Sequence, residues 1–116
     1  MKIHSVHGVV LGIGCAVATL FFPSGAMALD EEAAKALAKK NDCTKCHAVD
    51  KDKKATSYKK IAAKFKGKAD AEEKLVKSIT SGPKVKLIDG TEEDHKMINT
   101  KDAKEIKNLV QWILSQ

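Results

Sequence analysis

Cys43-Thr44-Lys45-Cys46-His47 is the stretch on which the reading of the whole chain turns. Two thiols one helical turn apart can each add to a vinyl group of one haem, and the histidine that follows then lies beneath the iron as its proximal ligand. Three other uses of C-x-x-C compete with this one. Zinc needs four ligands, and beyond the N-terminal segment only Cys43, Cys46, His47 and His95 are on offer, at a spacing that fits no zinc finger. A redox dithiol belongs at the strand-to-helix junction of a βαβ unit, and no strand run flanks the motif. A disulfide between residues three apart is strained and closes too short a loop to stabilise much. Covalent attachment of one haem c is the reading that survives, with Cys43 and Cys46 as thioether anchors and His47 as an axial iron ligand.

Residues 1–28 read as a cleaved secretory signal peptide. Lys2 gives a positive start, Val9 to Phe22 is apolar apart from small residues and Thr19, and Ala26-Met27-Ala28 is a small-x-small cleavage site before Leu29. The apolar stretch falls short of the roughly 20 residues that span a bilayer, so the expectation is export to a periplasm without stable membrane insertion. Cys15 leaves with that segment, and the remaining chain holds only Cys43 and Cys46, which leaves no disulfide framework.

The domain expected from 29 to 116 is small, and its only aromatic residues are Tyr58, Phe65 and Trp112. So modest a core is undersized unless a large apolar cofactor fills it. Without Lys2 the chain carries twenty lysines against fifteen acids, a net charge of +5, and no arginine. It has no arginine fork, aromatic ladder or binding motif for nucleic acid. Redox proteins with acidic docking surfaces are the partners this charge implies.

Around the motif the apolar residues recur at helical spacing. Asp30 to Lys40 opens on acids and closes on lysines, complementing a helix dipole over an Ala- and Leu-rich run. Ala48 to Ser57 has no apolar period and reads as a loop. Tyr58, Ile61, Ala62 and Phe65 form one face of a short helix that ends before Gly67. Asp70 with Glu73 resembles a capping box ahead of Leu75, Val76 and Ile79, and Ser81-Gly82-Pro83 ends that third helix. Val85 to Ile88 could be a short strand, but with no partner strand in view it reads as loop. Thr100 is the expected N-cap of a last helix carrying Ile106, Leu109, Val110 and Ile113. The fold class is therefore all-α, about four helices joined by loops.

The helix running into C-x-x-C-H, the Tyr58-Lys59-Lys60-Ile61-Ala62-Ala63-Lys64-Phe65 segment, a methionine in the late loop and the ending Gln111-Trp112-Ile113-Leu114-Ser115-Gln116 resemble the class I cytochromes c of the small bacterial monohaem kind. The resemblance implies crossed N- and C-terminal helices, loops wrapped around the haem, and one-electron transfer. Family members often place a Gly-Pro pair ahead of the tyrosine, whose carbonyl holds the proximal imidazole. Here Ala55-Thr56-Ser57 stands instead, and some backbone carbonyl is expected to take that part.

For the second axial position the remaining candidates are Met97 and His95, since Met1, Met27, His4 and His7 precede the expected cleavage point. Two residues apart, they would stand about 200° apart on a helix, where both cannot face the iron at once. The family position favours Met97, and the charged neighbours Glu92, Glu93, Asp94 and Lys96 argue for an exposed His95. A thioether raises the potential of a haem relative to an imidazole. Lysines 51, 53, 54, 59, 60, 64, 66 and 68 could steer acidic partners toward the haem edge. The competing function is a haem-based gas sensor or haem enzyme with a labile sixth ligand.

Overall fold

A computed structural model describes residues 28–116, and the signal-peptide reading of Val9 to Phe22 lies outside them. Helix α1 (Glu31–Lys40) starts where the Asp30 carboxylate accepts from the Ala33 N–H at 3.0 Å, satisfying one of the unpaired donors of its first turn. Helix α5 (Ala103–Leu114) packs against it. Ala34 and Ala38 on α1 and Leu109 and Val110 on α5 are almost wholly buried, so small side chains let the two helices approach closely. Asn108 pins the crossing. Its Oδ1 accepts from the Asp30 N–H at 2.8 Å and its Nδ2 donates to the Asp30 carbonyl at 2.7 Å.

Between these helices lie the one-turn helix α2 (Cys43–Cys46), then α3 (Tyr58–Phe65) and α4 (Ala71–Ser81). Asp42 makes the turn from α1 into α2 with φ of 57°, a left-handed conformation that Asp tolerates better than most residues. The Ser57 hydroxyl caps α3 by accepting from the Lys60 N–H. Tyr58 and Ala62 face the core, with Ile61 and Phe65 half-buried beside them, as the spacing predicts. Asp70 precedes α4 but makes no side-chain cap there; its carboxylate pairs with Lys74 instead.

Two elements depart from the sequence reading. Lys84–Lys86 is a strand, β1, paired antiparallel with β2 (Glu92–Asp94), so that Lys84 opposes Asp94 and Lys86 opposes Glu92. The missing partner is the acidic run, which has no apolar alternation because both strands are largely exposed; opposite charges across the pair hold the register. The N-cap of α5 is Asp102, not Thr100, and Thr100 supports it by accepting from the Asp102 N–H at 3.1 Å. Among the described residues no helix is long and apolar enough to cross a membrane.

Candidate functional site

His47 follows α2 in extended backbone, its N–H still bound to the Cys43 carbonyl at 2.9 Å. Its ring is therefore carried at a fixed angle from the helix that holds the two cysteines. The Nδ1 lies 2.7 Å from the Thr56 carbonyl oxygen. A carbonyl can only accept, so Nδ1 carries the proton and Nε2 is left with its lone pair for a metal. The ring stacks on Tyr58 at 5.2 Å between centroids, and Tyr58 meets Trp112 edge to face at the same distance. Burial lowers the His47 pKa, the Thr56 carbonyl raises it, and the nearby His95 lowers it. Burial likewise pushes the Cys43 thiol and the Tyr58 phenol up.

His47 lines a cavity of about 790 Å³. Cys43 and His47 form one part of its wall, and His95 another. The remainder is mainly apolar: Ile61 and Phe65 from α3, Leu75 and Ile79 from α4, Val85 and Leu87 from the hairpin, Leu109 and Ile113 from α5. A largely apolar cavity of that size with a few polar groups in its wall is of the kind that takes a cofactor. Lys60, Lys64, Lys74 and Lys86 also line it. Only the first two belong to the run of lysines that the sequence puts forward.

The two candidate distal ligands are disposed differently. The His95 N–H donates to the Pro83 carbonyl at 2.8 Å, and its ring lies 6.3 Å from that of His47, tilted by 45°. Its Nδ1 is buried with no hydrogen-bond partner among the described residues. Met97 is 57% exposed and is not part of the cavity wall; its side chain lies along Gly82. Cys46 is half-buried on the turn of α2. The structure thus brings Cys43, His47 and His95 to one cavity and leaves Met97 outside it.

A single group accounts for this set. Haem fits the donor chemistry: a half-buried pair of thiols on one helical turn, two imidazoles 6.3 Å apart, and a largely apolar cavity that Cys43 and both imidazoles line. No three His, Cys, Asp or Glu side chains among the described residues are grouped so as to hold a bare metal ion. A profile of the family described as Cytochrome c matches residues 31–116.

The chain belongs to the cytochrome c family.

This cytochrome is similar to cytochrome c-551 of Pseudomonas aeruginosa, at 37% identity over 79% of this chain and 82% of that protein. Among solved structures it is similar to the class 1 cytochrome MtoD from Sideroxydans lithotrophicus ES-1, with a TM-score of 0.73 and 60% identity over 76% of this chain and 97% of that one. Wild-type Nitrosomonas europaea cytochrome c552 aligns with a TM-score of 0.56 and 34% identity, over 70% of this chain and 96% of that one. The protein is a small class I c-type cytochrome, a haem-based electron carrier with one covalently bound haem c.

The sequence anticipates a backbone carbonyl behind His47 without naming it; it is Thr56. Nothing in the sequence marks Asp52, yet its Oδ1 accepts from the Ser57 N–H at 2.9 Å and its Oδ2 pairs with Lys60. Lys60 and the Ser57 N–H hold the Asp52 carboxyl below the usual carboxylate range.

Proposed function

We propose that this cytochrome is a periplasmic one-electron carrier, not an enzyme, in which Cys43 and Cys46 anchor the haem and His47 and His95 supply the axial nitrogens. The observation that carries the ligand pair is the 6.3 Å between the two rings across one apolar cavity. A haem bound in that cavity would have its iron held by a nitrogen of each ring. The exposed Met97, favoured by its place in the family pattern, stands aside from the cavity in this reading.

Haem bound there supplies one-electron exchange between ferric and ferrous iron. The protein's part is to keep both imidazoles in place in either oxidation state, so that little rearranges on transfer. The Thr56 carbonyl fixes the tautomer and the plane of His47, and the stacked Tyr58 limits its rotation. Pro83 and the hairpin hold the backbone of His95. Lys60, Lys64, Lys74 and Lys86 give the cavity a positive rim for acidic redox partners. Lys2, the apolar run and Ala26-Met27-Ala28 support export and cleavage before Leu29.

Protein taken from the periplasm and weighed by mass spectrometry should begin at Leu29 and carry the mass of one haem. Carbon monoxide added to the reduced form should leave its spectrum unchanged, because two tethered imidazoles fill both axial positions. Prompt binding would reassign the protein as a sensor or haem enzyme with a labile ligand.

A further inference from the structure

The carbonyl of Thr56 and the N–H of Ser57 belong to one peptide unit, and that unit is gripped on both sides. Its oxygen lies 2.7 Å from His47 Nδ1, and its nitrogen donates to Asp52 Oδ1 at 2.9 Å. Ser57 is 1% exposed, which shelters the N–H side of the peptide, while Thr56 and Asp52 are exposed. Asp52 sits five residues before Ser57 in a loop with no proline to lock the dihedrals around the carbonyl.

We propose that Asp52 is a positioning residue for His47, acting through the Thr56–Ser57 peptide. This rests on the reading of His47 as an axial ligand. A carboxylate that accepts from a peptide N–H polarises the unit and makes its carbonyl a stronger acceptor, since hydrogen bonds in a chain reinforce one another. The His47 N–H then donates more fully and the ring becomes a more electron-rich ligand, as in the carboxylate–histidine–metal arrangement but with one peptide interposed. The carboxylate also stops the peptide plane from turning, which an Ala-Thr-Ser segment would otherwise allow. Lys60 on the other oxygen keeps the carboxylate aimed at Ser57.

The test uses the holoprotein in four forms: wild type, Asp52→Asn, Ser57→Pro and Ser57→Ala. Asp52→Asn keeps an acceptor at Oδ1 but removes the charge. Ser57→Pro keeps the charge and removes the peptide N–H, at a position whose φ of −62° suits proline. Ser57→Ala loses the hydroxyl, which caps α3 and adds a minor contact to the Asp52 carboxylate, and keeps the peptide N–H.

The readouts are the reduction potential and the solvent exchange of the His47 ring proton by NMR. Asp52→Asn and Ser57→Pro should both raise the potential and speed exchange of that proton by about tenfold, the factor for weakening one charge-assisted hydrogen bond. Ser57→Ala, which keeps both the charge and the peptide N–H, should stay closer to wild type than either in both readouts. A potential that rises in Asp52→Asn but not in Ser57→Pro would mean that the charge acts through space, and the relay would be wrong. Should Ser57→Pro fail to fold, ring-proton exchange in Asp52→Asn decides alone, and a rate equal to wild type overturns the proposal. A wild-type spectrum with no haem-shifted His47 ring proton would instead refute the ligand assignment itself.

Discussion

Gly82 and Met97 touch at the point where α4 hands the chain to the hairpin: a Cβ placed on Gly82 would stand 3.2 Å from Met97 Cγ and 3.1 Å from the His95 carbonyl oxygen. Gly82 ends α4 with φ of 62°, a conformation that side chains resist. A side chain at residue 82 would press on the segment from His95 to Met97, which must give by a few tenths of an ångström to admit it.

Gly82→Ala should therefore act on stability and on the distal ligand together. The left-handed conformation costs about 1–2 kcal/mol for a residue other than glycine, and the new methyl group meets a backbone carbonyl that cannot swing away. We expect a lower urea midpoint and carbon monoxide binding to the reduced variant, as His95 is displaced from the cavity. A variant with wild-type stability and no carbon monoxide complex would refute this coupling.

Asp42 ties the haem-attachment turn to the distal segment, pairing with Lys96 and with Lys45. Hydrogen bonds from Lys96 and then Lys45 hold its carboxyl below the ordinary 3.8. A depressed carboxylate stabilises the fold above its unfolded pKa, and that contribution fades as pH falls through the folded value. Asp42→Asn should thus reduce stability near neutrality and flatten the loss of stability below about pH 4. Urea midpoints measured from pH 3 to 7 check it; parallel curves for variant and wild type would count against it.

How much of this could be read from the chain follows from how each residue is surrounded. The α3 and α5 faces announce themselves because Tyr58, Ile61 and Phe65, and Leu109, Val110 and Ile113, pack a single core at helical spacing. The attachment motif is legible because its chemistry demands adjacent residue types. The hairpin is hidden, since three-residue strands of charged side chains have no apolar alternation to display. His95 is obscured by the same charges. Asp94 pairs across the hairpin with Lys84, and Lys96 reaches Asp42, so the charged neighbours mark tethers and not an exposed histidine. Asp52 leaves no trace because its partner is a backbone N–H, which every residue but proline possesses.

The lysines at the cavity rim make a kinetic prediction. Attraction between surface charges is screened over about 8 Å at physiological ionic strength, so association with an acidic redox protein should slow as salt rises. Exchanging Lys64, Lys74 and Lys86 for Gln should lower the rate at low salt and reduce its dependence on salt. Stopped-flow oxidation by an acidic partner protein measures both, and a rate indifferent to salt would remove electrostatic steering.

The assignment of His95 opposite His47 is tested most directly by the absorption spectrum of the oxidised protein in the long-wavelength region where sulfur bound to ferric haem gives a weak band. Two imidazoles predict that the band is absent in wild type, that Met97→Ala leaves spectrum and potential nearly unchanged, and that His95→Ala alters both. The band present in wild type and abolished by Met97→Ala, with His95→Ala silent, would contradict the account and return the sixth position to Met97.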